Sequence, residues 1–310
     1  MIGAASRRLI AGVLGAGLAL LGAAPAAQAA TPNDTSVSVG RLVLEPTDRG
    51  YAGSLPVTVT YRGAQAAHLD LAVTEPVLGA FVDLTPSDAC VHGAERPVRT
   101  IYCVVPGGAL QPGERRQFAV KFRVLTTPRS DAMNATGGRV SVETGDANPG
   151  NDVRSFTTLF RSTTGSLRNP RPYVWDTETD ASLTVGSATL ARESDGSWFG
   201  RLPVTVRSAG DAPHDTYFLE AVLPAGVSIA GVEPDGMCGG NVCEVSGGRF
   251  MEGEQRQAWL LLRAPAEIAP GDLGTGSVRL YALFGWGDGP ADVDPADNTV
   301  SFGVTASELT

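Results

Sequence analysis

The chain has 310 residues, with 33 acidic side chains against 24 basic ones, a formal charge of -9, and 38 Gly plus 21 Pro. Apolar residues make up 43% and charged residues 18%, enough for packed cores and too few charges for a disordered polyelectrolyte. The acidic balance excludes a nucleic-acid binder, which needs a basic face. Lys121 is the only lysine, which excludes a phosphate-loop lysine chemistry; so strong a bias toward Arg is the one expected of a high-GC bacterial source.

Residues 1–29 read as a secretory signal: Arg7 and Arg8, an uncharged apolar run over 9–24, and the small-x-small site Ala27-Gln28-Ala29. The run is shorter than the roughly 20 residues needed to span a bilayer. The mature chain is therefore expected to begin at Ala30, to carry charge -11, and to have no transmembrane segment. It is expected to be secreted, with any retention on the cell wall resting on its own binding.

Beyond the signal, one pattern is written twice. Asp34-Thr-Ser-Val-Ser-Val-Gly40 returns as Asp180-Ala-Ser-Leu-Thr-Val-Gly186, and Leu55-Pro-Val-Thr-Val59 as Leu202-Pro-Val-Thr-Val206. Cys103 matches Cys243, and Gly113-Glu-Arg-Arg-Gln117 matches Gly253-Glu-Gln-Arg-Gln257. The acidic stretch 146–156 matches 292–302. Order is kept and the offset returns to its starting value, the signature of a tandem duplication. Residues 30–161 form one expected module and 179–310 the other, joined by a Pro/Ser/Thr linker at 162–178.

Each module reads as all-β. Residues 55–61, 118–124 and 202–206 alternate apolar and polar with period two, and turn signals such as Ser194-Asp-Gly-Ser197 and Gln111-Pro-Gly113 separate the runs. About seven short strands per module, with no amphipathic helix, predict two tandem immunoglobulin-like β-sandwiches. Four cysteines in an exported chain predict two disulfides. Pairing Cys90 with Cys103 and Cys238 with Cys243 lets each module close its own loop. The separation of the pairs into different copies argues against a zinc cluster.

Taken in order, the Leu-Pro-Val-Thr-Val strand, the Cys-loop-Cys, the Gly-Glu-x-x-Gln turn and the closing acidic Asn/Asp-Pro turn resemble the conserved extracellular repeats of unknown function in bacterial surface proteins. They are also similar to the cell-adhesion-related domains of bacteria. The resemblance covers both modules and implies a stalk, spacer or adhesin with no catalytic residues to carry over.

Candidate chemistry is sparse. There is no Gly-x-Ser-x-Gly elbow, His-Glu-x-x-His helix or phosphate loop. His68 and His214 occupy corresponding turns, which favours a structural loop histidine over a catalytic one; His92 lies in the first Cys loop. Asp288, Asp292, Asp294 and Asp297 offer alternating oxygens of the kind Ca²⁺ takes, although Asp and Asn are also the ordinary residues of backbone-capped turns. No other cofactor is expected. Trp198, Phe199 and Trp286 are candidate stacking surfaces for a sugar ring, with a core role as the alternative for each Trp. The expected protein is a secreted, non-catalytic structural, adhesive or binding protein whose partner is an envelope or extracellular protein or polysaccharide. A carbohydrate-active or other hydrolytic protein is the alternative.

Overall fold

The period-two pattern becomes strand geometry. Leu55, Val57, Val59 and Tyr61 all point inward and are at most 4% exposed, while Ser54 and Pro56 on either side of Leu55 face solvent. The computed structural model describes residues 34–93, 99–143, 148–285 and 287–308, so the expected signal at 1–29 lies outside the described residues, as do Asp146 and Trp286.

Ten strands build the first half: β1 (Thr35–Val39), β2 (Leu42–Thr47), β3 (Gly50–Tyr61), β4 (Asp70–Thr74), β5 (Phe81–Thr85), β6 (Cys90–His92), β7 (Thr100–Val104), β8 (Arg115–Val124), β9 (Met133–Glu143) and β10 (Val153–Phe160). A short strand, β11 (Arg171–Pro172), comes next. The second half holds β12 (Ala181–Val185), β13 (Ala188–Arg192), β14 (Trp198–Ser208), β15 (Thr216–Val222), β16 (Ser228–Glu233), β17 (Cys238–Gly239), β18 (Val242–Glu244), β19 (Gln255–Ala264), β20 (Gly271–Phe284), β21 (Gly287–Asp288) and β22 (Thr299–Ser307). Among the described residues the only helical element is one 3-10 turn at Pro149–Asn151. The fold is all-β with two sandwich-like halves.

The two halves share one strand order. The first runs β5-β8-β3-β2-β10-β9-β4-β7-β6 with β1 beside β3, and the second runs β16-β19-β14-β13-β22-β20-β15-β18-β17 with β12 beside β14. In the first half β2 ties the layers together. Its start pairs in parallel with β10 (Leu42↔Thr158), and its end pairs antiparallel with β3 (Glu45↔Ala52). The crossing brings backbones together at Gly53, where a Cβ would collide with the Val43 carbonyl. Gly200 stands in the same relation to the Thr189 carbonyl, so both positions require glycine.

Each half has its own apolar core. Leu42, Leu55, Val120 and Phe160 belong to the first, and Leu190, Trp198, Leu260 and Val304 to the second. All eight are fully buried, and each contributes about 1.5–3 kcal/mol by leaving water. Disulfides Cys90–Cys103 and Cys238–Cys243 cross the paired strands β6–β7 and β17–β18 at one edge of each half.

Residues 162–178, the Pro/Ser/Thr segment between the halves, are tied to the first half. Ser162 is buried, and its hydroxyl accepts the Ser166 N–H at 2.9 Å. β11 pairs in parallel with β9, and the Tyr173 N–H donates to the Asn134 carbonyl at 2.8 Å. Tyr173 itself enters the first core, 4.9 Å from the Phe160 ring. Backbone pairing and an aromatic anchor fix the segment where Ser, Thr and Gly would otherwise leave it mobile. Residues 32–310 accordingly form one compact unit.

Candidate functional site

The acidic closing turn of the second half spends its oxygens on backbone. Asp292 accepts the Ala181 N–H and the Thr179 hydroxyl on Oδ2, each at 3.0 Å, and the Asp294 N–H on Oδ1 at 3.0 Å. Asp294 Oδ1 accepts the Ala296 N–H at 3.2 Å. The turn thus clasps the start of β12. The first half does the same with Asn151, whose amide donates to Asp34 Oδ1 at 2.9 Å. Partial burial, followed by Asp294, Asp292 and Asp180, pushes the Asp297 carboxyl up. Among the described residues, no three His, Cys, Asp or Glu side chains converge as metal ligands. The Asp288 side chain is outside the described part of the structure.

The aromatic candidates divide. Trp198 is fully buried, its indole N–H donating to the Ile268 carbonyl at 2.9 Å and the Arg192 guanidinium 5.0 Å from its ring. It has no free face for a sugar, so its place is the core rather than a stacking surface. Tyr51 holds the equivalent place in the first half, fully buried, with its hydroxyl accepting the Arg129 N–H at 2.8 Å. Phe199 is half-buried.

The densest polar chemistry lies where the halves meet. Turn 247–254 of the second half is built like turn 107–114 of the first. Glu114 accepts the Gln111 N–H at 2.8 Å and pairs with Arg116, whose guanidinium also donates to the carbonyls of Pro106 and Gly108. Glu254 accepts the Met251 N–H at 2.8 Å and pairs with Arg256, which donates to the carbonyls of Ser246 and Gly248. This is the role of the Gly-Glu-x-x-Gln motif: its carboxylate and the arginine two residues on brace the turn from inside.

In the second half the braced turn also docks. Arg49, on the β2–β3 turn, forms a bidentate pair with Glu254, both contacts at 3.1 Å. Burial alone would raise the Glu254 carboxyl, but the hydrogen bonds from Arg256, Met251 and Arg49 hold it at about 2. Glu252 accepts the Thr126 hydroxyl at 2.8 Å and the Thr127 N–H at 2.7 Å, and its own N–H donates to the Leu125 carbonyl at 3.0 Å. Arg249 donates to the Gly79 carbonyl and lies 3.5 Å from Asp215. Gly79 has φ +78°, and a Cβ there would strike the Arg249 guanidinium. From the connecting segment, the Tyr173 hydroxyl donates to Asp211 Oδ2 at 2.6 Å. Burial and then the Asp211 charge push that hydroxyl far up, so it remains a donor.

Two buried groups support the junction. Glu75 and Arg99 form a bidentate pair at 2.9 and 3.0 Å, with side chains 0% and 3% exposed. Glu75 also accepts the N–H groups of Gly79 and Phe81, shaping the loop that receives Arg249. His214 Nε2 accepts the Phe250 N–H at 3.0 Å, which leaves Nδ1 to donate to the Ala212 carbonyl at 2.9 Å. Burial holds its imidazole down at about 4, the Ala212 bond opposing and the Arg249 charge reinforcing. His214 is therefore a neutral structural pin of the docking turn, whereas His68 at the corresponding position is exposed. Beside the docked turn opens a cleft of about 330 Å³ lined by Arg49, His92, Arg99, Arg123, Asp215 and Arg249, with Phe81, Val82 and Leu125 as its apolar wall.

Sequence reasoning singled out the acidic turns, the cysteines and the aromatics, and missed this junction. A signal was present in the differences between the matching turns: Arg249 and Glu252 stand where the first half has Ala109 and Pro112.

No family model matches the chain, and no curated protein matches it in sequence. Three solved structures align over most of its length. One is a protein of unknown function from Porphyromonas gingivalis W83, at 12% identity and TM-score 0.22, covering 88% of this chain and 99% of that one. Another, described as a membrane-anchored protein from Corynebacterium diphtheriae, has 9% identity and TM-score 0.23 over 90% and 97% of the two chains. The periplasmic chaperone SfaE has 12% identity and TM-score 0.24 over 87% and 100%. At that level of likeness no functional property transfers to this chain.

Proposed function

We propose that this chain is an exported, non-catalytic binding protein of the bacterial envelope, made of two copies of one immunoglobulin-like module locked end to end. The reading is carried by the junction: a braced turn that is free in the first copy is bolted onto the first half in the second. A rigid pair of sandwiches suits a support that presents fixed loops to a ligand. Export is supported by the signal-like residues 1–29 and by the two disulfides, which belong to oxidising compartments. The acids of the closing turn act as turn caps in this reading.

The test is retention of the purified mature chain on isolated cell wall and on its separated polysaccharides. Specific, saturable retention on one component supports envelope binding. Free passage over every component refutes it, and hydrolysis of any of them would replace it with the alternative of a carbohydrate-active protein.

A further inference from the structure

The cleft beside the junction gathers four arginines in a chain that is acidic as a whole. Arginine guanidiniums recognise carboxylates and phosphates through paired hydrogen bonds, and they are more weakly hydrated than an ammonium. Three of the four arginines here already have acids. Arg49 faces Glu254, Arg99 faces Glu75, and Arg249 faces Asp215. These pairs hold the guanidiniums in place without filling their donors, since the Arg49–Glu254 contact uses Nη1 and Nη2, and Arg99–Glu75 uses Nε and Nη2.

Arg123 is different. It projects from β8 as an exposed side chain, its backbone N–H donates to the Ala80 carbonyl, and its guanidinium has no acid or hydrogen-bond partner among the described residues. One uncompensated cation thus sits over a cavity whose other cations are preorganised. The apolar wall of Val82, Phe81 and Leu125 adds a surface for the carbon skeleton of a ligand; Val82 is 48% exposed. The volume, about 330 Å³, is at the small end of the roughly 300–1,000 Å³ of ligand pockets, which suits one charged sugar unit rather than a large cofactor.

We propose that this cleft is a binding site for the carboxylate or phosphate group of an acidic polysaccharide, with Arg123 as its principal contact. This deepens the envelope-binding reading and rests on it. The site exists only in the assembled pair, because Arg49, Arg99 and Arg123 come from the first half and Arg249 from the second. Neither copy alone could supply it.

The experiment is an NMR titration of the mature protein at low ionic strength with glucuronate, glucose 6-phosphate and neutral glucose. Both charged sugars, or one of them, should shift the amides of Val82 and Leu125, and the response should weaken as salt rises. A response to glucuronate alone identifies a carboxylate-bearing polymer, and to glucose 6-phosphate alone a phosphate-bearing one. Arg123→Glu should weaken binding about tenfold or more and Arg123→Gln by less, while Arg115→Glu, the same charge change on an exposed part of β8, should leave it unchanged. Because Arg123 makes no ion pair among the described residues, both variants should keep the wild-type melting temperature. No response to either charged sugar, an equal response to glucose, or equal losses from Arg115→Glu and Arg123→Glu would overturn the assignment. Wall retention that survives in Arg123→Glu alongside such a result would remove the cleft as the site and leave the envelope-binding function standing.

Discussion

Replacing His214 tests the junction's inner support through its pH dependence. Its ring is buried against Tyr217 and Phe250, with both nitrogens spent on backbone, and the charges of Arg249, Asp215 and Arg256 bear on it. The folded imidazole is held at about 4, against 6.5 without those surroundings. A depressed folded value means that the unfolded chain takes up the proton first. The stabilisation is complete above pH 6.5 and is lost as the pH falls toward 4. With a tenfold change in proton affinity worth about 1.4 kcal/mol, the loss is about 2 kcal/mol at pH 5 and about 3 kcal/mol below pH 4. Urea unfolding of the wild type and of His214→Gln at pH 8 and pH 5 measures it. The wild type should lose about 2 kcal/mol more than the variant over that interval. Direct titration of the ring by NMR should place the His214 midpoint below pH 5. Equal pH dependence in wild type and variant, or a midpoint near 6.5, would refute the buried-pin account.

Three further outcomes are expected. Glu252→Ala removes the acceptor for the Thr126 hydroxyl and the Thr127 N–H and should cost about 2 kcal/mol in urea unfolding, whereas Pro112→Ala at the corresponding free turn should change stability by less than about 0.5 kcal/mol. Replacing Cys90 and Cys103 by Ala should cost about 3 kcal/mol, and replacing Cys238 and Cys243 about 2 kcal/mol, in line with the 13- and 5-residue separations; calorimetry of each variant checks the order. Melting in EDTA and in millimolar Ca²⁺ should give the same midpoint, since Asp292 and Asp294 already accept backbone N–H groups. A calcium-dependent rise would reassign the turn as a cation site.

Much of the architecture was legible because its signals are local. Period-two alternation at 55–61 and 118–124 marks strands through the pleat itself, and Gln111-Pro-Gly113 marks a turn through its backbone preferences. The acidic closing turns were legible as caps for the same reason. Trp198 was ambiguous because a lone Trp after a turn carries the same pattern whether it faces the core or a ligand; only the Ile268 carbonyl, 70 residues away, decides it. Where residues 162–178 dock was not legible, because the pairing of β11 with β9 and the seat of Tyr173 are tertiary. The junction was hidden for a similar reason. Arg49 and Glu254 are separated by 205 positions, and Arg123 stands out only once its surroundings are known. The matching of the two halves does provide a route to it, since a turn present in both keeps what both need, and its differences show what one half does besides.

The central claim is that two sandwiches are held as a single rigid body by that turn. Residual dipolar couplings of backbone amides in the chain from Ala30 onward test it most directly. One alignment tensor should fit β1–β10 and β12–β22 together, and Arg49→Ala combined with Glu252→Ala should split it into two. Separate tensors of different magnitude in the wild-type protein would contradict the account.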